Sequence, residues 1–288
     1  MIYLFYTIIF TTAIYIVFKL LENFGIDLLQ ALVVNYLTAS LLCFFFISKT
    51  INFSEIIDIK GKEISFVTGI MFISTFFLYA FSTQKAGIAI TAIIGRMSVV
   101  IPVFIGFLFF KESMNVFKVS GLLLALIAFY LSSKKEKTHV KKAKRILLLV
   151  LVFIGVGAVD SIQGVYQKLY VNSNNDLYRF LFVVYSVALF MGISTILVRS
   201  LFFKKKQKNW LKPFIAGLLI GILNFCATFY FIKGIGATQM SIFIPLLSVS
   251  LVILNTLVGI ILFKEKFSLT NFAGIILAIL AIIFITHS

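Results

Sequence analysis

Two histidines, two cysteines and ten acidic residues are all that 288 positions hold of the side chains used most for metal, thiol and acid–base chemistry. His139 falls in a polar connection and His287 at the tail, and no histidine–cysteine cluster has metal-ligand spacing, so neither a metal nor a cofactor is expected. Cys43 and Cys226 stand singly in apolar stretches and read as small packing residues. No GxxxxGK[ST] occurs, which excludes a P-loop nucleotide drive. Charged residues make up 12% of the chain, where a soluble domain carries about a quarter, so a water-soluble globule is excluded as well. An enzyme embedded in a membrane would need a nucleophile–base pair or a metal constellation there, and a single intramembrane aspartate does not supply one.

What the chain has instead is apolar length. Hydrophobic residues are 61% of it, 34 of them phenylalanine, and only three prolines interrupt the runs. A membrane-spanning helix needs about 20 apolar residues. Ten stretches qualify: 2–20, 28–48, 65–83, 87–110, 116–133, 146–167, 177–198, 211–232, 237–262 and 269–286. The expected fold is an all-α membrane protein of ten transmembrane helices in one bundle, with connections too short for a soluble domain. The first stretch lacks a basic leader and a small-residue cleavage site, so it reads as span 1 and not as a signal peptide.

The net charge of +16 sits beside these spans, which points to a membrane surface and away from nucleic acid. Lys134, Lys135, Lys137, Lys141, Lys142, Lys144 and Arg145 lie between spans 5 and 6. Arg199, Lys204, Lys205, Lys206, Lys208 and Lys212 lie between spans 7 and 8. The odd-numbered connections hold seventeen basic residues and the even-numbered ones eight, with Arg96 inside a span. Because lysine and arginine mark cytoplasmic loops, the odd connections are expected in the cytoplasm and both termini outside.

A shift of 153 brings two segments into register. Phe110-Lys111-Glu112 matches Phe263-Lys264-Glu265, and Gly106, Gly121, Ala125 and Ala128 match Gly259, Gly274, Ala278 and Ala281. The implied organisation is a first five-helix repeat over 1–135, a basic cytoplasmic linker over 136–145 and a second repeat over 146–288. Five is odd, so the second repeat enters the bilayer inverted, as in secondary transporters with a midplane site. The small residues of spans 5 and 10 allow close approach, within one chain or between two; these spans read as scaffold. The Lys-Glu pairs at the span ends read as solvated charges.

Two charges break the apolar pattern. Arg96 and Asp160 lie inside spans 4 and 6, where each costs roughly 3 kcal/mol to insert and is retained mainly when it faces protein or a watery path. Counted from the cytoplasmic ends, their backbones differ by some 9 Å in depth at about 1.5 Å per residue, a gap that an arginine partly bridges. Either they form a permanent structural pair, or Arg96 holds a substrate carboxylate or phosphate by a forked contact while Asp160 meets an amine or carries a proton. On helical spacing, Asp160 shares a stripe with Gly157, Gln163, Gly164 and Gln167. Further stripes are Gly217, Gly221, Asn224 and Thr228 in span 8; Ser241, Pro245, Ser248 and Asn255 in span 9; Thr75, Tyr79 and Ser82 in span 3; and Thr12, Tyr15 and Lys19 in span 1. Spans 1, 3, 4, 6, 8 and 9 are therefore expected to line one cavity. Its candidate binding residues are Arg96, Asp160, Gln163, Gln167, Tyr15, Tyr79, Asn224, Thr228 and Ser248. Pro102 and Pro245 each remove a helix hydrogen bond and are candidate hinges.

Ten spans in two halves, a Lys-Glu pair after spans 4 and 9, and the stretch from Gln84-Lys85-Ala86-Gly87 through Arg96-Met97-Ser98-Val99-Val100-Ile101-Pro102-Val103 resemble a bacterial subgroup of the EamA-like family, within the drug/metabolite transporter superfamily. The family's proline in span 4 matches Pro102; its counterpart in span 9 is Asn255, and Pro245 stands earlier. The resemblance implies a multi-pass transporter of the bacterial cytoplasmic (inner) membrane whose central cavity is lined by the six spans named above; the small-residue faces of spans 5 and 10 leave monomer and homodimer both open. Members export amino acids, drugs and other metabolites, and related branches exchange sugar phosphates or nucleotide sugars. One arginine with one aspartate suits a zwitterion better than a phosphate ester. The expected function is alternating-access efflux of a small polar metabolite such as an amino acid, with protons as a candidate coupling ion. An exchanger of phosphorylated metabolites and a flippase of an amphipathic lipid are the alternatives.

Overall fold

The computed structural model describes residues 2–47, 59–110, 115–133, 142–203, 210–238, 240–265 and 269–286, and the regular structure among them is entirely helical. In chain order the helices are α1 (Ile2–Asn23), α2 (Leu28–Phe46), α3 (Lys62–Ala86), α4 (Ile88–Met97), α5 (Val100–Phe110) and α6 (Val116–Ser133), followed by α7 (Lys142–Tyr170), α8 (Asn174–Phe203), α9 (Leu211–Ala237), α10 (Met240–Ile261) and α11 (Leu269–Thr286). Seven stretches among the described residues are long and apolar enough to cross a membrane, and Leu246–Ile261 and Phe272–Phe284 add two shorter apolar ones. Large apolar side chains such as Phe45, Phe109 and Leu201 stand on the outside, each at least three-quarters exposed. An apolar surface on that scale belongs in lipid. The protein is an all-helical membrane protein.

The expected span 87–110 is two helices. Pro102 has no N–H to offer the carbonyl of Ser98, so the α-helical ladder lapses there. Ile101 N donates to Ser98 O at 2.9 Å in a tighter turn, and Val103 N donates to Val99 O at 3.1 Å as the helix resumes. By contrast, α10 runs unbroken through Pro245.

Helix contacts follow the small residues. Gly121, Ala125 and Ala128 of α6 and Gly274, Ala278 and Ala281 of α11 are all buried, and these two helices pack along each other within one chain. In α9, a β-carbon on Gly217 would lie 2.5 Å from that of Val34, and one on Gly221 would lie 2.5 Å from that of Thr38. Both glycines therefore serve the contact with α2. This corrects the sequence expectation that they share the cavity face with Asn224 and Thr228.

The basic clusters at 134–141 and 204–208 lie outside the described residues, as do Lys111 and Glu112. Arg199, at the end of α8, is described. It grips Asp27 with both nitrogens, Nη1 to Oδ1 at 3.2 Å and Nη2 to Oδ2 at 2.5 Å. Asp27 also caps α2, accepting from Leu29 N and Gln30 N. Burial pushes its carboxyl pKa up, but the Arg199 guanidinium and the helix N–H groups outweigh burial and hold it below the usual carboxylate value. A depressed folded pKa gives stability that is present above the ordinary value of about 4 and is lost as the pH falls below it. The purified protein should therefore melt at a lower temperature as the pH drops through this range. Asp27→Asn should melt lower at neutral pH with a flatter acid dependence, measured by thermal unfolding in detergent.

Candidate functional site

A cavity of about 110 Å³ lies inside the bundle. Its walls come from α1, α3, α4, α7, α9 and α10, the same six spans that the polar stripes mark. Its floor chemistry starts from the helix break. Because α4 stops at Met97, Arg96 stands in a final helical turn, and its neighbour Gly95 has no side chain where the Tyr79 ring lies. Tyr79 stacks on Tyr15, ring centroids 4.5 Å apart, and Arg96 Nη2 donates to the Tyr15 hydroxyl at 3.0 Å.

Arg96 Nη1 lies 3.7 Å from Asp160 Oδ2. That is close enough for attraction and too far for a direct hydrogen bond. Arg96 is 8% exposed, and its Nε has no hydrogen-bond partner. Across from it, Gln163 Oε1 is likewise buried without a partner. Buried polar groups are normally satisfied by protein or water, so this wall has bonding capacity left for a guest. A forked guanidinium with open donors binds a carboxylate well, and an aspartate beside it attracts an ammonium. Phe18, Phe72, Phe76 and Phe231 close the remaining wall with apolar surface.

Of the nine candidate residues, the cavity brings together Tyr15, Tyr79, Arg96, Asp160, Gln163, Asn224 and Thr228. Gln167 and Ser248 lie off it. Gln167 points past the cavity's end, with Nε2 against the face of Gly236. Ser248 spends its hydroxyl on its own helix, donating to Ile244 O at 2.7 Å, while Leu247 faces the space. On α1 the lining face carries Thr7 and Thr11; Thr12 is buried away from the cavity, and Lys19 pairs with Glu22 at the helix end. The backbone break before Pro102 adjoins the site, whereas no break accompanies Pro245.

One contributor went unseen in the sequence. Asn35 of α2 accepts from Asn224 Nδ2 at 3.1 Å, and Asn224 Oδ1 accepts from Thr228 at 3.3 Å. Asn35 thereby orients the amide that faces the cavity. The available signal was a carboxamide flanked on both sides by apolar residues within a span.

The chain aligns with an uncharacterized protein of Haemophilus influenzae (strain ATCC 51907 / DSM 11121 / KW20 / Rd) at 26% identity, over 97% of this chain and 95% of that one. A crystal structure of a further protein superposes with a TM-score of 0.57 at 11% identity, covering 97% of this chain and 98% of the other, a likeness of fold alone. Residues 146–287 match the EamA-like transporter family. Through that match, on a helical membrane architecture whose internal cavity holds opposed charges, residues 146–287 belong to the EamA-like transporter family, part of the drug/metabolite transporter superfamily and a family of transporters, not enzymes.

Proposed function

We propose that the protein is a secondary transporter of the bacterial cytoplasmic membrane that exports a small zwitterionic metabolite, such as an amino acid, by alternating access. The observation that carries this reading is the opposed pair on the cavity wall, Arg96 and Asp160 at 3.7 Å. Arg96 takes the carboxylate of the guest, Asp160 takes its ammonium or the coupling proton, and Gln163 and Asn224 bond its remaining polar atoms. A phosphate ester would leave two or more negative charges facing a single arginine.

In this reading ten spans form two inverted repeats, 1–135 and 146–288, joined by the basic segment 136–145, with both termini outside. Three observations support it. The family match begins at residue 146. The small-residue faces related by the 153-residue shift pack together, α6 on α11. Finally, contacts between connections respect their numbering. Asp27 with Arg199, Glu22 with Lys85, and Glu265 with the start of α4 join odd connections, while Tyr166 with Lys60 O joins even ones.

The test is uptake of a radiolabelled amino-acid mixture into proteoliposomes, with and without an imposed pH gradient, beside counterflow against nucleotides and sugar phosphates. Saturable amino-acid flux is expected, and acceleration by the gradient would assign the proton to the cycle. Exchange of phosphorylated compounds alone would sink the zwitterion reading and recast Arg96 as a phosphate ligand. Movement of labelled lipid between leaflets without either would make the protein a flippase.

A further inference from the structure

The connection after α10 places a carboxylate on the start of α4. Gly87, at φ 98°, turns the chain from α3 into α4 and offers no side chain to cap it. Glu265 takes that role from far along the chain: Oε1 accepts from Ile88 N at 2.8 Å and Oε2 from Ala89 N at 3.3 Å. Its own backbone is fixed in turn. Lys264 adopts φ 51°, and Glu265 N donates to Gly259 O at 2.9 Å. A β-carbon on Gly87 or on Gly259 would lie 2.8 Å from the Glu265 carboxylate. The carboxylate thus occupies a slot that two glycines leave open, one from each side of the contact.

This corrects the expectation of a solvated charge at Glu265, and it bears on the site. α4 has ten residues, begins at the Glu265 clamp and carries Arg96 in its last turn. The distance along the helix is about 12 Å at 1.5 Å per residue. Beyond Met97 the ladder is interrupted before α5, so α4 is a short rod held at its start by Glu265 and free of helical continuity at its far end. A carboxylate at a helix N-terminus satisfies orphan N–H groups and favours the helix dipole.

We propose that Glu265 is a positioning residue for Arg96 and, in the same contact, the releasable tie that closes the cavity on the side of the odd-numbered connections. The positioning role rests on Arg96 being a substrate ligand; the closing role does not. Opening on that side by parting α4 from the end of α10 would break the Glu265 hydrogen bonds.

The experiment reads the two roles separately. Val156 lines the cavity and contributes no polar group. Val156→Cys is introduced with Cys43→Ser and Cys226→Ser, and a membrane-impermeant maleimide is applied from each face of proteoliposomes. Glu265→Ala should speed labelling from the odd-connection face about fivefold, the scale of losing one helix cap, and leave labelling from the other face unchanged. In flux assays KM should rise while the maximal rate holds. Glu265→Gln, which keeps an acceptor, should recover most of both effects. Gly259→Ala, whose β-carbon would lie 2.8 Å from the Glu265 carboxylate, crowds it without removing it; it should reproduce the labelling change and carries the test if Glu265→Ala does not fold. Equal acceleration from both faces, or none in either variant, would overturn the tie. One-sided acceleration with an unchanged KM would overturn the positioning role. Labelling needs no substrate, so it reads the tie even if no amino acid proves to be carried.

Discussion

Arg96→Ala is expected to abolish transport, by at least about a hundredfold, while the protein still folds and elutes as one species in detergent. Truncating one partner of a buried charged contact costs about 2–5 kcal/mol of binding, and a hundredfold corresponds to about 2.8 kcal/mol. Among the described residues no second arginine lines the cavity, so nothing there substitutes for the forked contact. Folding survives because Asp160 is not sealed in. Its side chain is 13% exposed to the cavity, and water can reach it once the guanidinium is gone. A fully buried pair that loses one member would suffer about 3–5 kcal/mol. The measurement is flux per folded molecule, with melting temperature in parallel. A collapse in expression or melting temperature for Arg96→Ala and Asp160→Asn alike, restored by the doubly reversed Arg96→Asp/Asp160→Arg, would make the pair structural. Under the binding reading the reversed protein folds and does not transport.

The largest effect on stability is expected from Gly217→Val with Gly221→Val, which should leave no monodisperse protein after extraction. A β-carbon at these positions meets more than side chains: Ala31 O would be 2.6 Å from one and Asn35 O 2.7 Å from the other. Backbone oxygens in a helix cannot rotate away, so α2 and α9 must separate along two turns. Overpacking costs about 1–3 kcal/mol per site and occasionally more, against a net stability of about 5–15 kcal/mol for a whole domain. Size-exclusion profiles in detergent check this, with Leu219→Ala on the lipid-facing side of α9 as the control that should elute normally. The milder Gly221→Ala should fold and transport more slowly. The carbonyl it crowds belongs to Asn35, whose side chain holds Asn224 at the cavity.

How these features read in the sequence depends on how local their causes are. Arg96 and Asp160 are legible because a charge in an apolar run has few places to go. The helix break is legible at Pro102, since a missing N–H acts on the carbonyl four residues back. The stripe Gly217, Gly221, Asn224 and Thr228 was only half legible. α9 stands at a corner between α2 and the cavity, and helical periodicity cannot say where along one face the neighbour changes. Ser248 was misread for a related reason. The cavity accepts Leu247 because part of its wall is apolar, and a buried serine hydroxyl can satisfy itself on its own helix. Glu265 was illegible, because its partners lie 176 and 177 residues away and local composition gives such a charge to solvent.

The spacing of Arg96 and Asp160 has an electrical consequence. With one charge of each sign, the empty cavity carries no net charge, and a zwitterion bound between the two adds none. Under the proposed zwitterion reading, the carrier reorients in either condition without moving charge through the membrane field, which would otherwise contribute about 2.3 kcal/mol per elementary charge for each 100 mV. Both halves of the cycle would run at the same rate in a polarised and a depolarised vesicle, and a voltage-dependent flux would mark the passage of an ion alongside the metabolite.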